Sequence, residues 1–210
     1  MISTLHPNLP APADLQRLCK ALAVLDAINS PDWEYRYYSY NPAWSDNEQL
    51  LEMRDGEGDQ MLVLFHPEGC VINGFLHEYD QPDKAQVTRG LPAAFASFMF
   101  EEPVNSIGTT FCLWYTPVHG WQYGKVENEA DGSGELLYIF DNDPATYAEW
   151  ATEYYTDESN KKPVTAAAVA PIYRQEAVTK ANALALVDEV ADWTMLATDL
   201  QEIGYPYEFT

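Results

Sequence analysis

The chain has 210 residues, 47% of them hydrophobic, which suits a folded domain and excludes a disordered one. Eleven Lys and Arg face thirty-three Asp and Glu, a formal charge of -22. Such a field repels phosphate backbones and anionic membranes, so neither nucleic acid nor membrane is an expected partner. A basic protein is the partner it draws in, although acidity also serves solubility or salt adaptation.

Residues 1–12 are Pro-rich and predict an extended lead-in. Asp14 is placed to cap a helix running to Ile28, with Leu15, Leu18, Leu22 and Leu25 on one face. Ser30-Pro31 ends it. From Trp33 the period becomes two, and Trp33, Tyr35 and Tyr37 are the expected inward residues of a strand that Asn41-Pro42 closes. Further strands are predicted over Gln49–Arg54, Met61–Phe65 and Cys70–Leu76. The first two of these are joined through the turn 55–59, and a hairpin at His66–Gly69 joins the last two.

Leu91–Phe100 predicts a short helix and Thr109–Tyr115 a strand. Trp121–Val126 and Glu135–Phe140 suggest another hairpin across the acidic, Gly-rich loop 127–134. Asp143-Pro144 opens a helix whose stripe is Tyr147, Trp150, Ala151 and Tyr154. A loop is expected over Thr156–Pro163, then helix to about Val187. Asp192 caps a last helix, Trp193–Ile203, which Gly204 terminates. The sum is an α+β fold: an antiparallel meander with flanking helices and a helical C-terminal region. A single domain over 1–210 is the expected organisation, with residues 164–210 as a possible helical appendage.

Motifs of catalysis are missing. The sequence holds no GxSxG, HExxH, GxGxxG or GxxxxGK[ST] pattern. Cys19, Cys70 and Cys112 have no metal-ligand spacing and predict buried free thiols, hence a reducing, cytoplasmic setting. The start of the chain lacks a signal-peptide pattern. Of the four histidines (His6, His66, His77 and His119) only His77, beside Glu78, suggests proton transfer or a metal. A strand would put those two side chains on opposite faces. Ser133 in Asp131–Gly134 fits a loop tip better than a nucleophile or a Ca²⁺ loop. No cofactor and no metal are expected.

The segment 32–60 carries eight acids against Arg36 and Arg54, with Tyr38, Tyr40 and Trp44 interleaved. Aromatic anchors inside an acidic rim suit a basic protein, so the candidate partner-binding residues are Tyr38, Tyr40, Trp44, Glu52, Asp55, Glu57 and Asp59. The competing reading buries those tyrosines under a helix. The runs Trp33–Tyr40 (WEYRYYSY), Gly69–Glu78 (GCVINGFLHE), Tyr147–Tyr155 (YAEWATEYY) and Asp199–Pro206 (DLQEIGYP) resemble small acidic proteins of bacterial toxin–immunity loci. The resemblance implies a cytoplasmic, non-catalytic inhibitor that occludes a toxin. The leading expectation is therefore an immunity-type module that neutralises a basic effector such as a nuclease. Alternatives are a hydrolase centred on His77 and Glu78, and a DNA mimic.

Overall fold

A computed structural model describes residues 9–124, 131–156 and 162–209. Helix α1 (Pro12–Asn29) starts with proline at its first position, where the missing N–H has no helical partner to lose. Its N-cap is Ala11, so Asp14 is not the expected cap; that carboxylate pairs instead with Arg17. Leu15, Leu18, Leu22 and Leu25 are buried as expected, but so is every residue from Ala21 to Asn29. The second half of α1 is thus surrounded on all sides. Any polar group there must find its partners inside.

Asp26 is that group. It is fully buried, and its carboxylate accepts from the Tyr38 backbone N–H at 2.7 Å and from the Tyr147 hydroxyl at 2.9 Å. Burial pushes its pKa up to about 7, against the pull of these hydrogen bonds. Asn29, one turn on, donates to the Leu25 carbonyl at 2.8 Å.

The bond to Tyr38 corrects the reading of residues 33–40. Trp33–Tyr35 form a 3-10 turn after Pro31, and strand β1 (Tyr38–Ser45) begins only beyond it. Alternation therefore counts from Tyr38. Tyr38 and Tyr40 point into the core at 2% and 6% exposure, while Trp33 and Tyr35 are 55% and 65% exposed. Asn41-Pro42 does not close the strand; it shifts the register between Asn41 and Ser45, and pairing resumes.

Strands β2 (Glu48–Arg54), β3 (Gln60–His66) and β4 (Gly69–Phe75) follow as predicted, then β5 (Phe111–Thr116) and β6 (Gly120–Tyr123). All neighbours are antiparallel and the order is β1-β2-β3-β4-β5-β6, the expected meander. Alternation divides the residues of β2–β5 between two cores. Leu51, Met53, Met61, Val63, Cys70, Ile72 and Phe111 face α1. Leu50, Leu62, Leu64, Val71, Cys112 and Trp114 face the long β4–β5 connection. That connection holds the short helices α2 (Lys84–Val87), α3 (Ala96–Phe100) and α4 (Val104–Ile107), whose Val87, Phe98, Met99 and Val104 cover the second face. The predicted helix over Leu91–Phe100 is a 3-10 turn at Ala93–Phe95 running into α3.

The expected hairpin strand at Glu135–Phe140 is helical: α5 (Ser133–Leu137) leads into a 3-10 turn, Tyr138–Asp141. Leu136, Leu137, Ile139 and Phe140 are buried while Glu135 and Tyr138 are exposed, a spacing of three rather than two. Residues 125–130, which end the predicted strand 121–126 and open the loop 127–134, lie outside the described residues, as do the stretch 157–161 and His6. Helix α6 (Pro144–Thr156) has the predicted start, with Asp143 accepting from the Ala145 N–H at 2.9 Å. It buries Tyr147, Ala151 and Tyr155, whereas Tyr154 is 41% exposed.

The C-terminal helical stretch is interrupted. Helix α7 (Ala166–Tyr173) and α8 (Lys180–Leu186) flank strand β7 (Val178–Thr179), which pairs in parallel with β8 (Tyr207–Glu208). Between α8 and β8 lies α9 (Trp193–Ile203), capped by Asp192 and ended by Gly204 at φ 74°, as predicted. Leu196, Leu200 and Ile203 of α9 join the same apolar cluster as α1 and the sheet. The three cysteines are buried and unbridged, and burial pushes each thiol up. Among the described residues no helix is long and apolar enough to cross a membrane.

Asp26 makes stability depend on pH. Its pKa rises from an ordinary 3.8 to about 7 on folding, so the neutral form is favoured in the folded chain. The associated stability is complete below the unfolded value and is lost as pH rises through about 7. Denaturant melts of the wild type and Asp26→Asn between acid and mildly alkaline pH read this directly. The stability difference between them is expected to fall by up to about 4 kcal/mol toward high pH. Parallel profiles would show that the carboxyl does not titrate abnormally.

Candidate functional site

The 32–60 segment forms one edge of the sheet: the 3-10 turn, β1, β2 and the turn beyond. Tyr38 and Tyr40 are set into the floor, with the Tyr40 hydroxyl donating to Gln49 Oε1 at 2.7 Å. They are not exposed anchors. Pairing of Tyr38 with Met53 and Ser39 with Glu52 sends Ser39, Asn41 and Glu52 to the opposite face.

A groove of about 490 Å³ opens on that side. Trp33 and Trp44, 55% and 40% exposed, both line it, together with Asn41, Glu52 and Glu202. Trp44 and Glu52 are therefore brought together as the sequence suggested. Trp33, inward by its sequence period, lines the groove instead, and Glu202 arrives from α9 at the far end of the chain. The only sequence signal for Trp33 is Pro31 two residues earlier, which keeps the chain from entering the strand at once.

Two residues that line the groove, Trp33 and Glu52, already contact a guanidinium. Arg54 at the end of β2 lies over the Trp33 ring, 4.2 Å from its centroid, and its Nε is 3.5 Å from Glu52 Oε1. An indole face and a carboxylate thus hold one cation between them. The nearby Arg36 is 6% exposed and fixes the turn that presents Trp33. It donates to the carbonyls of Ser30 at 2.9 Å and Pro31 at 2.8 Å, and to Asp199 Oδ2 at 2.7 Å.

The acidic turn after β2 is built differently from its sequence appearance. Asp55 Oδ1 accepts from the N–H groups of Glu57, Gly58 and Asp59, all within 2.8–2.9 Å. Asp59 Oδ1 accepts from the His77 N–H at 2.8 Å and lies 2.8 Å from His77 Nδ1. Asp55 and Asp59 therefore shape the turn, and Glu57 is exposed at its tip. Beside the turn, Tyr37 packs on Trp150 and Tyr154, with ring centroids 4.8 and 5.3 Å away.

His77 is exposed, and its hydrogen bond to Asp59 raises its pKa above the usual histidine value. Neither it nor Glu78 lines the groove at Trp33 or the other cleft at the end of α1. His66 Nδ1 accepts from the Glu68 N–H at 3.0 Å inside the β3–β4 turn. Ser133 donates to Asp131 within its own turn. No group of three or more His, Cys, Asp or Glu among the described residues is arranged to hold a metal.

No protein-family model matches the sequence, and neither a curated protein nor a solved structure gives a match. Any functional reading therefore rests on the groove and the charge.

Removing the Asp59 carboxylate should release His77. In Asp59→Asn the His77 midpoint, read from its ring protons by NMR, is expected to fall back toward the ordinary 6.5. An unchanged midpoint would mean that another group sets it.

Proposed function

We propose that the chain is an acidic protein-binding module of the immunity or inhibitor kind, which neutralises a basic effector such as a nuclease toxin. The observation that carries this reading is the groove: two exposed tryptophans with Glu52 and Glu202 on a chain of charge -22. Large exposed aromatics beside carboxylates are what an arginine-bearing partner needs for an anchor. The Arg54 guanidinium between Trp33 and Glu52 is an internal example of that contact.

The overall field acts on the encounter rather than the final fit. It steers a basic partner inward and makes association fall with salt. Trp33, Trp44 and Glu52 are the anchors in this reading, and Glu57 in the 55–59 turn adds charge. Tyr38 and Tyr40 are core residues in it, not anchors. Asp55 and Asp59 add charge, yet altering them also disturbs the turn they hold. A cytoplasmic location is part of the proposal and fits three buried, unbridged thiols.

The test is capture from lysate of the source cell by the immobilised protein at low and high salt, read by mass spectrometry. A stoichiometric basic partner is expected at low salt and should be released at high salt. Trp33→Ala with Trp44→Ala should weaken capture about tenfold or more, with the thermal melt as a folding control. Capture that survives both substitutions would remove the groove from the interface. Recovery of only acidic or salt-insensitive partners would overturn the electrostatic reading.

A further inference from the structure

A second cleft, of about 400 Å³, opens where α1 ends, walled by the 187–192 segment and α9. That volume falls within the roughly 300–1,000 Å³ of small-ligand sites. Its floor is apolar, with Ile28, Val187 and Leu196, and Met195 lies at the mouth, 40% exposed. Its polar rim is almost entirely of one sign: Asp188, Glu189, Asp192 and Asp199.

The end of α1 adds to that sign. The helix has no basic residue in its last turn, so the negative end of its dipole is not countered from within. Four residues beyond Ala27 stands Pro31, which has no N–H to give the Ala27 carbonyl. Among the described residues, two cations reach the edges, and both are already engaged. Arg36 holds Asp199 and two carbonyls, while Lys162 donates to the Leu184 carbonyl at 2.6 Å with its Nζ 3.9 Å from Asp188. Among the described residues no ion pair reaches Glu189 or Asp192. Asp192 instead accepts from the N–H groups of Thr194 and Met195.

We propose that this cleft binds a cationic head group carried on an aliphatic stem, an alkylguanidine or alkylamine. The stem covers the apolar floor, and the head stands among Asp188, Glu189 and the carbonyl end of α1. An anion meets net repulsion there, and a neutral apolar molecule would strip water from carboxylates without replacing it. Arg36 shows that carbonyls and a carboxylate at this edge hold a guanidinium. The cation has two possible carriers, a free small amine or an arginine of a protein, and the chemistry of recognition is the same for both. The inference stands independently of the Trp33–Trp44 groove.

The full-length protein is titrated with agmatine at moderate salt, followed by calorimetry and by the amide signals of Ile28 and Met195. Those signals are expected to shift and saturate with one midpoint. Asp188→Asn with Glu189→Gln should weaken that midpoint about tenfold or more; both residues are exposed, and a thermal melt confirms folding. N-butylurea, neutral and similar in shape, should bind at least about tenfold more weakly. Trp33→Ala with Trp44→Ala should leave the midpoint unchanged, which separates this cleft from the groove. A blocked Gly-Arg-Gly peptide distinguishes the carriers: affinity equal to agmatine points to a protein arginine, and much weaker affinity to a free amine. Removing two of thirty-three acids changes the general field little. Unchanged affinity in the double variant, or unsaturating shifts spread over the acidic surface, would overturn the proposal and leave only counterion attraction.

Discussion

The hydrogen bonds of one buried carboxyl determine how the rest of this molecule is assembled. Asp26 lies in the fully enclosed half of α1, where no water reaches it, and satisfies itself on the Tyr38 N–H and the Tyr147 hydroxyl. The first bond pins an edge strand to the central helix, and the second pins α6 to the same point. Because an amide N–H cannot rotate away, the bond to Tyr38 also sets the parity of β1. Tyrosines 38 and 40 go in, and Ser39 and Asn41 go out. Burial opposes ionisation strongly enough to raise the carboxyl's midpoint to about 7, so that it titrates near physiological pH.

From that point the surface follows. The chain between α1 and β1 must turn sharply, and Arg36 holds the turn through Ser30, Pro31 and Asp199. Its ion pair with Asp199 couples the turn to α9, which brings Glu202 to the same side as Trp33. The groove at Trp33 and the cleft at Ile28 thus flank one short segment, Pro31–Arg36, and share α9 as a wall. A guanidinium buried among acceptors of this kind is costly to orphan, so the segment is held rigidly. Both concave sites on it carry carboxylates, in keeping with the composition of the chain.

Strong local signals made much of the fold legible. β2, β3 and β4 have turn residues between apolar runs, and α9 has an aspartate cap, a clear stripe and a terminal glycine. The errors fall where local pattern competes with a tertiary bond. Trp33–Tyr37 alternate as a strand should, but the tie of Tyr38 to Asp26 delays the strand and inverts which aromatics face out. Leu136–Phe140 form an apolar run that periodicity alone cannot assign to helix or strand. The same inversion explains the site. Trp44 and Glu52 are visible in sequence, while the alternation of 33–37 points Trp33 inward and Glu202 lies 150 residues from Glu52. Asp55 and Asp59 look like free acids in sequence, but their carboxylates are bonded to backbone N–H groups and to His77, contacts that local pattern does not encode.

The most direct measurement of this account is native-state hydrogen exchange at the Tyr38 amide. On an edge strand, an amide pointing away from its neighbour exchanges through small local motions. Bonded to Asp26 inside the core, Tyr38 is expected instead to be as protected as the amides of β3 and β4, exchanging only with global opening. Exchange as fast as that of exposed Trp44 on the same strand would contradict the claim that Asp26 fixes β1.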